Sequence, residues 1–196
     1  DGFTLIEFLV VVAIIALLIS ILLPSLSGAR KQARTVRCAT NLHSVGQAFS
    51  IYLTENNACY PPSYIYASNR SGGYDLQAQP SSPNENGYLH WSWFLYQRGA
   101  VKDEVFACPE FQNGGLPRCN PGPQAQNWEA GQVDDNGATK NAVPDNAVED
   151  RQAPRVAYTA NGAVVPRNKF TTELSGGLRV NKLVQEREIM DPRGVI

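Results

Sequence analysis

From Phe3 to Leu23 the chain is apolar except for Thr4, Ser20 and one acid, Glu7. As a helix this stretch rises about 31 Å at 1.5 Å per residue, enough to cross the hydrocarbon core of a bilayer. An ionised acid inside such a segment is costly to insert, and acids found there usually have a functional partner. An ordinary signal peptide does not fit, because nothing basic precedes the apolar core and the core is too long. A plain single-pass anchor gives no reason for an acid beside a Gly-Phe junction.

The run Gly2-Phe3-Thr4-Leu5-Ile6-Glu7, followed by apolar residues to Leu23 and by Pro24, resembles the N-terminal segment of type IV pilins and of type II secretion pseudopilins. The resemblance covers about the first 25 residues. It implies that a membrane peptidase cuts between Gly2 and Phe3 and that Phe3 becomes N-methylated. It also makes Glu7 the fifth residue of the mature chain, an assembly residue. Asp1 stands where the family has a short basic leader, which suggests that the sequence begins inside that leader. Arg30, Lys31, Arg34 and Arg37 follow the apolar run, and a simple positive-inside count would place them in the cytoplasm. The family orientation is the opposite, with the head outside.

The helical pattern continues past Pro24. Ala33, Val36, Leu42, Val45, Phe49, Tyr52 and Leu53 recur at three- and four-residue steps, while Arg30, Arg34, Arg37, Asn41, Gln47 and Ser50 mark a polar side. A helix that starts in lipid and ends against a folded head needs this change from apolar all round to one-sided. Pro24 is expected to bend it or loosen a turn, and Asn56-Asn57 to stop it, giving a helix of about 80 Å. Three regions follow: 1–24, the cleavage motif and transmembrane helix; 25–57, the amphipathic continuation; and 58–196, an extracytoplasmic α+β head. An apolar run begins at the last residues, Pro192 to Ile196, which suggests a head truncated at its C-terminus.

Within the head, 61–87 reads as a long loop with a short strand near Ser63–Tyr66. Leu89 to Tyr96 is the most aromatic window and reads as a short core helix. Val105 to Pro109 reads as a strand ended by proline, and 110–152 as polar surface rich in turn signals. Asn161-Gly162 between Arg155–Thr159 and Ala163–Val165 predicts a hairpin, and Leu178–Val184 a further strand. Phe106-Ala107-Cys108-Pro109 and the Asn-Gly turn are loosely similar to the heads of a broad prepilin-type group. The fold class expected is α+β: a long helix carrying a small antiparallel sheet on its apolar face.

All 17 Lys and Arg, and all of the 18 acids except Asp1 and Glu7, lie beyond Pro24. That near balance, without a basic stripe of interleaved aromatics, gives no case for a nucleic-acid partner. Four cysteines in an exported domain raise the prior for disulfides. Cys38 and Cys59 would sit roughly 30 Å apart along a helix, so Cys108 and Cys119, which enclose a Pro/Gly-rich loop, make the better pair. Cys38 then reads as a small buried residue. No Cys-X-X-Cys or matching His spacing supports zinc, and neither His43 nor His90 has a catalytic constellation around it. Some pseudopilin heads bind calcium. Asp134, Asp135 and Asn136, or Asp145, Glu149 and Asp150, would be the oxygen donors here, although a solvated loop is the simpler account.

The function expected is a structural pilin-like subunit. It would be held in the inner membrane with its head periplasmic or extracellular, cut by prepilin peptidase, and drawn by an assembly platform into a self-associating pilus or secretion pseudopilus. No enzymatic activity and no cofactor are expected. The alternative is a membrane-anchored extracytoplasmic binding domain that uses the pilin-type signal only for sorting.

Overall fold

The computed structural model describes residues 4–80, 85–142, 147–166, 178–180 and 182–189. Helix α1 (Leu5–Glu55) is continuous for 51 residues, about 75 Å. Thr4 caps it in extended conformation, and the helix runs through Pro24 without interruption. The Ser20 and Ser27 hydroxyls donate back to the carbonyls of Leu17 and Pro24, so neither presents an unpaired donor to an apolar surround. The stop falls where the asparagines predict: Asn56 is the C-cap, its side chain donates to Tyr52, and Asn57 and Ala58 turn to positive φ.

Every helix residue from Leu5 to Arg37 is exposed, and the head begins to cover the helix only at Cys38. The covered stripe is Cys38, Asn41, Val45, Ala48 and Tyr52, at alternating steps of three and four. This corrects the expected face. Val36 and Leu42 are 61% and 53% exposed, whereas Asn41 turns inward and donates to the Ala107 carbonyl at 2.8 Å. Asn41 reads as polar-face in sequence, but the head offers an orphan carbonyl there, and pairing it costs less than leaving it unmet.

The head packs one core onto that stripe. Val45, Ala48 and Tyr52 meet Ile65 of β1 (Tyr64–Tyr66), Leu89 of β3 (Tyr88–His90), and Trp91, Phe94 and Leu95 of α2 (Trp91–Tyr96), with Phe106, Ala153 and Val165. Aromatic rings knit the layers together. Phe49 stacks on Trp91 at 5.6 Å, Tyr52 meets Phe94 edge-on at 6.3 Å, and Trp91 meets Phe106 at 5.5 Å. The aromatic window is therefore core. His90 caps α2 through the Ser92 amide and hydroxyl, and burial pulls its pKa down to about 4, which keeps the ring neutral in this cap.

The α+β class holds, but the described strands form three antiparallel pairs rather than one sheet. β1 pairs with β3; β2 (Gln79–Pro80) pairs with β6 (Leu178–Arg179); β4 (Leu116–Pro117) pairs with β5 (Arg155–Val156). Two elements differ from their expected form. Asp103–Phe106 is a 3-10 turn, not the start of a strand, because Val105 and Ala107 donate back to Lys102 and Glu104 while Phe106 drops fully into the core. The Asn161-Gly162 hairpin does not form. The Asn161 side chain and carbonyl cap a local turn, accepting from Ala163, Val164 and Val165, and β5 pairs instead with β4. Gly115 permits that pairing: its φ is +125°, and a Cβ there would meet the Val156 and Ala157 backbone at 2.7 Å.

The polar region after Glu110 is also better anchored than its composition implies. Trp128 is buried and donates to the Gly122 carbonyl at 2.7 Å. Asp150 is buried too, and accepts from the Tyr88 amide at 3.1 Å and from the Asn120 amide and side chain at 3.2 and 2.9 Å. Burial pushes its pKa up to about 6 against the hydrogen bonds that favour the carboxylate. A carboxyl raised above its unfolded value stabilises the fold most fully at low pH, and this contribution fades as pH rises through 6. Asp150→Asn is therefore expected to flatten the decline of the thermal midpoint between pH 4 and 7, measured against the native chain. Parallel profiles for the two proteins would refute it.

Candidate functional site

The exposed end of α1 begins with a reciprocal cap. The Glu7 amide donates to the Thr4 hydroxyl oxygen at 3.3 Å, and Glu7 Oε2 accepts from both the Thr4 amide and its hydroxyl at 2.8 Å. This arrangement satisfies amides that an open helix start would leave unpaired and sets a carboxylate against the positive end of the helix dipole. Among the described residues no donor reaches Glu7 Oε1. Glu7 stands out in the sequence by its charge, whereas Thr4 is marked only by the Thr-X-X-Glu spacing of a capping box. Gly2 and Phe3 lie outside the described residues.

Behind this start, apolar side chains point outward on all sides of the helix. Leu5, Ile6, Phe8, Leu9, Leu17 and Leu22 are each more than 60% exposed. A soluble monomer does not present a continuous apolar surface of this length. Among the described residues this is the one helix long and apolar enough to cross a membrane, and its exposed apolar surface suits a membrane anchor.

Three covalent and polar ties hold this shaft to the head at one level. Cys38 and Cys108 form a disulfide with Cα atoms 5.0 Å apart. One turn along, Asn41 donates to Ala107, and the Tyr158 hydroxyl donates to the Cys38 carbonyl at 3.0 Å. The expected Cys108–Cys119 pair is thus corrected: Cys119 is exposed and free, as is the half-buried Cys59. Once Ala107 accepts from Asn41, the adjacent Cys108 is held against the helix, beside the thiol at position 38. The register of Cys38 with Val45 and Tyr52 puts it on the face toward the head, and the fold decides which head cysteine meets it.

The calcium candidates do not converge. Asp134 Oδ1 accepts from the Asn136 and Ala138 amides, and Asp135 accepts from the Asn136 side chain, which is the hydrogen bonding of a local turn. Asp150 is committed to Tyr88 and Asn120, Glu149 pairs with Arg118 at 3.2 Å, and Asp145 lies outside the described residues. No cluster of three or more potential metal-ligating side chains occurs among the described residues.

The structure thus joins a long helix, apolar and exposed over its first half and begun by the Thr4–Glu7 cap, to a small α+β head. Comparison with known proteins shows similarity to pilins and pseudopilins. Residues 1–23 match the prokaryotic N-terminal methylation motif. The chain is 35% identical over 83 residues to the type IV wide pilus major component PilA4 of Thermus thermophilus, covering 42% of this chain and 58% of that protein. It is 29% identical over 87 residues to the type II secretion system core protein G of Vibrio cholerae, covering 44% and 55% respectively. The chain thus spans little more than half the length of these relatives. No solved structure matches it.

Proposed function

We propose that this chain is a structural subunit of a type IV pilus or type II secretion pseudopilus. The observation that carries the reading is the apolar shaft, exposed on every side from Leu5 to Leu26 with Glu7 at its start. Such a surface suits lipid before assembly and the shafts of neighbouring copies after it. In this reading the protein waits in the inner membrane with its head outside the cytoplasm. Prepilin peptidase cuts between Gly2 and Phe3, Phe3 is N-methylated, and an assembly platform draws the subunit out. These steps are performed on the chain, so no enzymatic activity is assigned to it.

Glu7 has a defined part in this scheme. In an apolar filament core its carboxylate would accept from the Phe3 amine of the next subunit. An unpaired charge there is strongly disfavoured, so the pair selects the axial register. The similarity to a pilus component and to a secretion core protein supports the reading. Protein expressed with its full leader is expected to begin at a methylated Phe3 by N-terminal mass analysis, and to enter a sheared high-molecular-weight fraction. An uncut leader beside an active peptidase, or a different start, would sink the processing step.

One observation favours the anchored binding domain as a second reading. Exposed Phe111 and Leu116 border a head groove of about 720 Å³ whose wall includes Arg155 paired with Glu129. Processed protein that never enters the sheared fraction would favour it.

A further inference from the structure

The geometry points to a binding site for anionic phospholipid headgroups beneath the head, built from Arg30, Lys31, Arg34 and Arg37. The inference rests on the membrane anchor and not on filament assembly. Between Glu7 and Glu55 the helix has these four cations and no acid. All four are exposed, and among the described residues none takes part in an ion pair. Four like charges within eight positions repel one another unless an anion joins them.

Depth and direction both select the ligand. With the apolar surface ending at Leu26, Arg30 and Lys31 stand about 6–8 Å further along the axis, the depth of the headgroup layer. Arg34 and Arg37 follow one and two turns beyond, where an anionic surface still attracts cations. At about 100° per residue, Arg30, Arg34 and Arg37 share the helix side of Asn41, Ala48 and Tyr52, the side that bears the head.

Arg30 and Arg34, with Lys31, line a recess that opens to solvent, and Arg37 stands a turn beyond it. A groove of about 460 Å³ runs between the helix and the head's lower edge, bordered by Leu23, Leu26, Arg30, Lys31, Arg34 and Glu110. Its floor is apolar at the membrane end and cationic at the head end, the polarity of a phospholipid's upper acyl chain and phosphate. Glu110, the one acid on its rim, disfavours an anion and limits how tightly the lipid is held. Such a site would hold the head in a fixed pose above the bilayer and would empty as the subunit leaves the membrane.

The test places the full chain in phosphatidylcholine nanodiscs containing a minority of phosphatidylglycerol, then counts the lipids retained after mild detergent extraction by mass spectrometry. Phosphatidylglycerol is expected to exceed its bilayer share by about fivefold or more. Raising salt or combining Arg30→Gln, Lys31→Gln, Arg34→Gln and Arg37→Gln should return it to that share. Glu110→Gln should increase it. Native chain that retains phosphatidylglycerol only at its bilayer share overturns the proposal, as does enrichment that survives the fourfold substitution. If the fourfold variant instead loses self-crosslinking while lipid retention is unchanged, the cations belong to an interface between copies and the proposal is wrong. Intact lipid enrichment in a chain that never forms filaments would leave this site standing and reject only the filament reading.

Discussion

Cys38→Ser or Cys108→Ser is expected to destabilise the chain by about 4 kcal/mol. The bond closes a loop with a sequence separation of 70 residues, and in the chain-entropy account a loop of that size restricts the unfolded ensemble by about this amount. For a chain of this size the thermal midpoint should fall by about 10 °C or more. The loss should centre on the junction, because the tie joins the shaft to the head at the first covered residue. Cys119→Ser, by contrast, removes a free exposed thiol and should stay within about 0.5 kcal/mol of the native chain. Non-reducing peptide mapping gives an independent readout, which should link the peptides of Cys38 and Cys108. A Cys108–Cys119 link, or equal losses from the substitutions at positions 38 and 119, would reject this arrangement.

Glu7→Ala is expected to leave membrane insertion intact or improved and to reduce filament yield to background. Removing an acid from an apolar span lifts an insertion cost, so loss of the protein from the membrane is not the expected route. Two interactions disappear in this variant: the reciprocal cap with Thr4 and the proposed partner of the next subunit's Phe3 amine. Glu7→Gln separates them. An amide oxygen still accepts from the Thr4 amide and hydroxyl, so the helix start persists, but the charge is gone. If charge pairing fixes the register, the Gln variant should fail in the sheared fraction almost as completely as the Ala variant. Thr4→Ala, which weakens the cap but keeps the charge, should assemble. Normal yield from both Glu7 variants, at equal expression and normal cleavage, would remove Glu7 from assembly and favour the anchored binding domain.

Much of the site could be read from residue order because its physics is local. A helix start is set within one turn, so Thr4 and Glu7 were available as a pair at fixed spacing. The apolar shaft is legible for a related reason. Its side chains meet lipid or like helices, so hydropathy and length decide its character without any knowledge of the head. The stop at Asn56 is likewise written in the residues that cap it, and the aromatic window reveals its burial by size alone.

What only the tertiary structure decided is where distant segments meet. Asn41 looks solvent-facing until the Ala107 carbonyl is placed opposite it, and with it the covered stripe shifts away from Val36 and Leu42. Val105 and Phe106 have the composition of a strand, but Phe106 reaches the core only from a 3-10 turn. Asn161-Gly162 has the signature of a hairpin, but β5 has a better partner in β4, through a glycine some forty positions earlier. Cys38 meets Cys108 across 70 residues at the level where the helix face and the head's lower edge are also joined by hydrogen bonds. Helix caps, hydropathy and aromatic size act over a few residues and so survive in the linear chain. Strand pairing, disulfide choice and the partner of a polar side chain depend on loop closure and on which surfaces fit, and these are settled only when the whole core forms.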